Sequence, residues 1–250
     1  MYSDVRDVAL EEGGPLYHRD VEKLDRQDDN AAARLFLAAT LEYTSAQHPD
    51  RIGLIVYLFV FGELVDAYQN RHIGHKERIH MVLRAKFFLE LWQAFLKVSH
   101  YAENRHFISH EAVDIMKYLV DGLISLVLVY RDHLGDTTHP LCPWLHSSEA
   151  CEHVFAECRK LVKDFTFLDF IYMIPRLHVL IRTAVQQCHS TDPRARASGY
   201  AHTYFDNSGA DLAQLAIFPT DEEIDECAAL ALGESEGLFA LLGISPNDII

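Results

Sequence analysis

Apolar residues recur at helical spacing through most of the chain, and no stretch alternates between apolar and polar positions over the length of a strand. The most apolar segment opens a predicted helix over 52–70 that other helices must surround. The pattern therefore predicts an all-α protein, an irregular multi-helix bundle around a buried central helix at about residues 52–68. We expect its buried side chains to include Ile55, Leu58, Phe59, Phe61 and Leu64.

Other helices are predicted before and after this central one. Ser109 and Thr220 stand where helix caps are expected, and Pro175 is expected to kink or divide the helix that contains it. One further helix follows Pro143, with Ser147 or Ser148 as its cap and an apolar stripe to Phe165. The remaining predicted helices cover 31–41, 75–99, 111–130, 167–185 and 221–242.

Turn residues and charge suggest four segments. Residues 1–29 are charged and contain Gly13-Gly14-Pro15, so we expect a flexible arm. The predicted helical core domain covers 30–188, and a loop linker rich in Asp-Pro and Ser-Gly pairs covers 189–219. An acidic C-terminal helix is predicted over 220–250.

Composition excludes several classes of protein. With 49% hydrophobic residues the chain has ample material for a core, and its net charge of −15 disfavours a broad nucleic-acid surface. The longest apolar run, residues 52–62, is shorter than the roughly 20 residues of a membrane span. The five cysteines form no C-x-x-C pair, so we expect reduced thiols and an intracellular protein.

Basic residues cluster once, at Arg71, Lys76, Arg78, Arg84 and Lys86. They fall on the predicted helix over 75–99 and just before it. In an acidic chain such a cluster is more typical of a solvated helix face than of a nucleic-acid groove, and we interpret it so.

Two carboxylates begin the helix after Pro143. Glu149 and Glu152 are three residues apart, so they project within about 60° of each other and lie off the apolar stripe. One interpretation is that they share a divalent cation with acids from elsewhere in the fold. The other is that they are first-turn acids favoured by the helix dipole.

The order of several motifs carries a resemblance. Lys23-Leu24 with residues 32–36 resembles a K-M-x-x-x-x-A-x-x-x-F-S segment, and residues 64–71 (LVDAYQNR) resemble a W/F-D-x-x-N-x-R pattern. Residues 145–155 (LHSSEACEHVF), with Arg159 after them, resemble the signature L-x-Q-D-x-L-E-x-x-F-x-x-I-R. In this order the motifs are similar to the later part of P-element-type transposases and their THAP-domain relatives, over about residues 23–165.

The resemblance implies roles for four residues. Glu152 takes the position of the last catalytic acid, which holds Mg²⁺ when the other acids complete the site. Glu149 takes the acidic position three residues earlier, where the family usually has Asp. Asp66 matches an acid that reads the guanine of GTP in members whose insertion binds it, with Gln69 or Asn70 near the partner position.

The first two catalytic acids of that family lie on strands that should precede this chain, and its zinc-containing DNA-binding domain is missing. We therefore expect a transposase-derived helical protein or fragment that neither cuts DNA nor binds it alone, and that binds no cofactor by itself. Its partners would be other proteins or the missing part of a transposase, and the resemblance favours the nucleus over the cytoplasm. The alternatives are a non-enzymatic interaction module whose acidic C-terminal segment docks a basic partner, and a GTP-binding regulatory domain using Asp66.

Overall fold

Every regular element of the described chain is helical, as the apolar pattern predicted. The computed structural model describes residues 2–22, 29–134, 140–146, 148–188, 210–245 and 249. Short 3₁₀ turns lie at Pro143–Leu145 and Gln214–Ala216. The helices are α1 (Tyr2–Leu10), α2 (His18–Val21), α3 (Asp29–Phe36), α4 (Ala38–Gln47), α5 (Ile52–Gln69), α6 (His75–Val98), α7 (Glu103–His106), α8 (His110–His133), α9 (Glu149–Leu161), α10 (Phe167–Cys188) and α11 (Asp221–Leu241).

The chain forms two compact units, and their boundaries differ from the predicted segments. Unit 1 combines Met1–Leu141 with Ala213–Ile250, and unit 2 is Cys142–Leu212. The predicted core domain over 30–188 is therefore divided, and both terminal segments belong to unit 1. Turn residues and charge mark where helices end, but they do not report which helices pack together.

The core of unit 1 surrounds α5, as expected for the most apolar helix. Val60 and Ala67 of α5 are fully buried in one cluster with Val82 of α6 and Leu123 of α8. Among the described residues, α5 alone is long and apolar enough to cross a membrane by length and composition, yet here it is the core helix.

Burial along α5 confirms part of the detailed expectation. Leu58, Phe61 and Leu64 are buried, whereas Ile55 and Phe59 are only partly buried. The ring of Phe59 lies 5.4 Å from the Arg84 guanidinium carbon. Because the Arg84 side chain covers this side of α5, the apolar residues there are only partly buried by other helices.

The acidic C-terminal helix is an integral part of unit 1. α11 buries Cys227, Ala231, Ser235 and Phe239, which lie four residues apart along one face. Because three of these side chains are small, the backbone of α11 comes close to α6, and the Ser235 hydroxyl donates to the Arg84 carbonyl oxygen at 3.1 Å. Its acidic first turn masked this apolar seam in the sequence.

Residues 1–29, predicted to be a flexible arm, contain α1 and α2 where they are described. Val8 and Ala9 of α1 are buried in a cluster with Leu54 and Leu58 of α5. The Tyr43 hydroxyl also donates to the Glu11 carboxylate at 2.7 Å. Charged residues hid a short apolar face here, which is why composition suggested an arm.

The helix predicted over 31–41 is instead divided between α3 and α4 at Leu37, whose backbone is extended. The division lets the chain pass close to α5, where a side chain at Gly62 would place its Cβ 3.2 Å from the Phe36 carbonyl oxygen. The Thr40 hydroxyl donates to the Arg34 carbonyl oxygen across the break, at 2.6 Å. A tertiary contact therefore decided this boundary.

Unit 2 has a small core between α9 and α10. Cys158, Met173 and Leu177 are buried there, packed against Phe165 and Phe170 among others. Pro175 does not divide α10, which runs through it. Proline removes the hydrogen bond to the Ile171 carbonyl, but Ile171 and Pro175 both lie on the exposed side of the helix, where water can replace the lost donor.

Of the predicted linker 189–219, only residues 210–219 are described. Leu215 in this stretch is buried, and its carbonyl oxygen accepts a hydrogen bond from the backbone amide of Leu141 at 3.0 Å. This hydrogen bond therefore fixes the segment that leads into α11 to the rest of unit 1.

Candidate functional site

Asp66 and Asn70, the predicted guanine contacts, lie next to each other at the end of α5. The Asn70 side-chain amide donates to the Asp66 carboxylate at 2.9 Å, and its carbonyl oxygen accepts from the His72 backbone amide at 2.9 Å. The Asn70 backbone amide also donates to the Asp66 carbonyl at 2.8 Å. Together these bonds terminate α5, so the polar groups that the resemblance assigns to guanine are engaged in ending a helix.

Arg78 reaches the same helix end from α6. Its guanidinium is fully buried and donates to the carbonyl oxygens of Ala67, Asn70 and Ile73. The last carbonyls of a helix lack intrahelical donors, and a cation there also complements the helix dipole. Arg78, assigned to a solvated basic face from the sequence, is therefore an interior group that joins α5 to α6.

Glu149 and Glu152, the residues aligned with catalytic acids, lie in the first turn of α9. Glu152 is exposed, and its carboxylate accepts a hydrogen bond from the Ser148 hydroxyl at 3.1 Å. Ser148 is the residue before the helix, but its side chain makes no capping bond to a backbone amide. The side chain of Glu149 lies outside the described residues, so the structure places only its backbone.

No group of three or more His, Cys, Asp or Glu side chains suited to a metal occurs among the residues that were placed. At Glu152, to which the resemblance assigns a Mg²⁺ ligand, the structure describes a hydrogen bond from the Ser148 hydroxyl. Unit 2 holds Glu152 and unit 1 holds Asp66 and Asn70.

Four of the five cysteines are described, and all of them are free thiols: Cys142, Cys151, Cys158 and Cys227. Burial raises the pKa of the Cys227 thiol above its ordinary value, so this group is held as an unreactive thiol. The side chain of Cys188 lies outside the described part of the chain.

A polar cluster that the sequence did not reveal joins α5, α6 and α11. Arg84 is buried and pairs with Glu63 of α5, and its guanidinium lies 2.6 Å from the Glu234 carboxylate of α11. His80 lies 2.9 Å from the same Glu234 oxygen. Burial raises the pKa of the Glu63 carboxyl, while the hydrogen bond and charge of Arg84 act in the opposite direction.

Each charge of this cluster faces an opposite charge or a hydrogen-bond partner, which offsets the cost of removing it from water. The sequence offered one signal for it: Arg84 and Glu63 interrupt apolar helix faces. The partner Glu234 lies 150 positions away from Arg84, beyond any local pattern.

His75 is a second buried titratable group. Its Nε2 lies 2.9 Å from the Leu215 carbonyl oxygen, its Nδ1 is buried without a partner, and its ring stacks on Phe218 with a centroid distance of 5.0 Å. The geometry suits a neutral ring that donates from Nε2. Burial lowers the pKa of His75, and the positive charge of Arg78 lowers it further.

The start of α11 carries the acidic surface. Asp221, Glu222 and Asp225 are exposed, and Thr220 caps the helix by accepting from the Glu223 backbone amide at 3.2 Å. Arg131 of α8 pairs with Asp221 at 2.7 Å, and Lys76 of α6 lies 3.3 Å from both Glu223 and Glu226. Part of the acidic charge is thus balanced within unit 1.

Comparison of the chain with family models, with curated proteins and with solved structures found no match.

Proposed function

We propose that this chain is a non-enzymatic helical interaction module, in which α10 binds an amphipathic helix of a protein partner. The observation that carries the proposal is the exposed apolar surface of α10. Phe167 and Tyr172 are 78% and 75% exposed, and the other large apolar residues exposed among the described side chains of this helix are Leu168, Ile171, Ile174, Val179, Leu180 and Ile181.

Four of these residues form a continuous stripe, which we call the α10 face: Leu168, Ile171, Tyr172 and Val179. They lie within about 100° of arc around the helix. Large exposed apolar patches mark interaction sites more often than ordinary protein surface. A helix that offers residues at this spacing suits packing against a second amphipathic helix.

The acidic start of α11, in unit 1, is a separate interaction surface in this proposal. Its exposed Asp221, Glu222 and Asp225 favour a partner with basic residues and raise the rate of association at low salt. Charge reversal of these three residues should therefore weaken binding more at low salt than at high salt, whereas changes in the α10 face should weaken it at both.

The α10 face is tested by the triple variant Leu168→Gln, Tyr172→Gln and Val179→Gln. A matched control on α8 changes one tyrosine and two aliphatic residues that are similarly exposed, Ile115→Gln, Tyr118→Gln and Val129→Gln. Partners are identified by cross-linking in cells and mass spectrometry. Binding is then measured by calorimetry with the purified partner, where burial of apolar surface gives a negative heat-capacity change.

We expect the α10 variant to lose a partner that the unaltered chain and the α8 variant both retain. Retention of every partner by the α10 variant contradicts the proposal. Loss in the α8 variant alone would move the binding surface to α8 and contradict the assignment to α10.

Our second candidate is a transposase-derived protein without DNA cleavage or strand transfer of its own. It is supported by the order of the motifs and by the exposed Glu152 at the start of α9, where acids from another polypeptide would have access. In this proposal the partner is the missing part of a transposase, Mg²⁺ binds only in the completed site, and the protein acts in the nucleus.

Purified chain is incubated with duplex DNA and Mg²⁺ to test this second candidate. We expect no cleavage, and cleavage that disappears in Glu152→Gln would contradict the inactive state. Titration with GTP addresses Asp66 and Asn70 separately. Heat that saturates in the unaltered chain and vanishes in Asp66→Ala would favour the GTP-binding alternative instead.

A further inference from the structure

We propose that unit 1 binds a small aromatic molecule, uncharged or cationic, in an apolar pocket at the start of α5. The pocket is formed by the first turns of α5, the second half of α6 and the end of α11, and five of its nine lining residues are aromatic. This inference is independent of the α10 face, which belongs to unit 2.

The walls of the pocket are carbon surfaces that belong to the core. Phe88 and Phe239 are buried, with ring centroids 5.1 Å apart, and Trp92 packs against Phe88 at 6.1 Å. Offset aromatic walls of this kind hold a further ring by edge-to-face contact. Very little polar surface faces the pocket, so the binding free energy of a ligand comes mainly from moving its apolar surface out of water.

The size of the pocket limits the ligand. Its volume is about 180 Å³, close to the roughly 150 Å³ of an apolar protein cavity that stays dry and binds benzene. One substituted ring fits this space. Most ligand sites for larger molecules span roughly 300–1,000 Å³, so the pocket by itself is too small for a nucleotide or a long acyl chain.

The entrance lies at Gly53, where an added Cβ would meet no atom within 4 Å. Gly53 and Leu242 also border a neighbouring cleft that contains Asp4, Asp50 and Arg51. The Arg51 guanidinium already donates to the Asp4 carbonyl oxygen at 2.9 Å and pairs with Asp7 at 3.1 Å. Because Arg51 is paired with Asp7, the exposed Asp50 carboxylate in this cleft favours a neutral or cationic group at the entrance and disfavours an anionic one.

The chain has two tryptophans, which makes a direct experiment possible. Trp92 lines the pocket, whereas Trp144 belongs to unit 2 and serves as an internal control. The chain is labelled with 5-fluorotryptophan, the two ¹⁹F resonances are assigned with Trp92→Phe, and three probes are titrated: p-xylene, 4-methylbenzylamine and 4-methylbenzoate. We expect a saturable shift of the Trp92 resonance with the first two probes and no shift of Trp144.

We expect the benzoate to bind about tenfold more weakly than the amine at low salt, because the two differ in the sign of the charge at the entrance. Equal affinity for both overturns the charge preference. Absence of a saturable Trp92 shift with both xylene and the amine overturns the pocket itself.

Filling the pocket gives the second readout. Gly53→Leu places a side chain in the entrance, and leucine is also a better helix former than glycine. The matched control is Gly233→Leu, since Gly233 is exposed on α11 and also has open space around an added Cβ. We expect the Trp92 shift to vanish in Gly53→Leu and to persist in Gly233→Leu. Unchanged xylene binding in a folded Gly53→Leu protein would refute the site.

Discussion

α11 and α10 are the two long helices nearest the C-terminus, and they differ in how much of their apolar surface is buried. α11 buries a row of mainly small residues against α6, so that its backbone approaches closely and even a serine is fully buried. α10 buries Met173 and Leu177 but leaves Phe167, Leu168 and Tyr172 exposed. The difference shows that complementary shape, rather than apolar content, decides which helix completes a core.

The largest change in stability is expected when a charge is introduced among the buried residues of α11, and this variant tests the comparison most directly. Ala231 is fully buried, whereas its neighbour Leu230 is 58% exposed. We expect Ala231→Asp to lower the free energy of unfolding by about 3 kcal/mol or more, because an unpaired carboxylate is buried. Leu230→Asp should change it by less than about 0.5 kcal/mol.

Urea denaturation followed by circular dichroism measures both variants. Equal stability of Ala231→Asp and Leu230→Asp would mean that α11 is not part of the core of unit 1.

The polar cluster around Arg84 lies at the same interface and connects α11 to α5 and α6, so it provides a second test of the comparison. We expect Arg84→Met to cost about 2–3 kcal/mol, because Glu63 would remain partly buried without its guanidinium partner. Adding Glu63→Gln to this variant should restore part of the loss, as the remaining charge is then removed. The two variants and the unaltered chain are compared by urea denaturation, and an additive loss would contradict a direct pairing.

His75 tests the segment that leads into α11. Burial lowers the pKa of His75 in the folded state, so the folded chain takes up its proton at lower pH than the unfolded chain. The contribution of the neutral ring to stability is complete above the unfolded value of about 6.5, and it is lost as the pH falls from there through the folded pKa.

His75→Phe keeps a ring to stack on Phe218 but cannot titrate. We expect this variant to be less stable at pH 8, where it lacks the bond to Leu215, and to lose less stability on acidification than the unaltered chain. Thermal unfolding at several pH values gives both curves, and parallel curves below pH 6.5 would exclude His75 as a source of the dependence.

The smallest change in the free energy of unfolding is expected for a substitution on α10. Tyr172→Gln removes a large apolar side chain that is 75% exposed, so the free energy of unfolding should change by less than about 0.5 kcal/mol. A loss of more than about 2 kcal/mol in urea denaturation would show that Tyr172 is buried in solution. The α10 face would then belong to a core and could not be offered to a partner.

Local signals in the sequence predicted individual helices well. α5, α6 and α8 begin and end within a few residues of the predicted limits, and the caps at Ser109 and Thr220 have their expected hydrogen bonds. These features depend on neighbours within a few positions. The prediction failed at Leu37, where a contact with Gly62 divides the helix expected over 31–41. Pro175, expected to kink or divide its helix, does not divide it.

The residues of the candidate sites also fall into two groups: those whose contacts follow from local spacing in the sequence, and those whose contacts do not. The closeness of Asp66 to Asn70 follows from a spacing of four on one helix, and the structure shows that pair hydrogen-bonded. The burial of Arg78 and Arg84 had no such local signal. Their partners are helix-end carbonyls and acids on other helices, so two members of a basic cluster that suggested a solvated face are part of the interior.

By itself, the sequence determined that this protein is all-α, that α5 is its central helix and where most helices begin and end, because periodicity and capping are properties of adjacent residues. Only the tertiary structure decided that α1 and α11 complete unit 1, that two arginines are buried and that α10 keeps its apolar face exposed. Those outcomes depend on which surfaces fit together between residues up to 151 positions apart in the hydrogen bonds described, and helical periodicity carries no information about the partner.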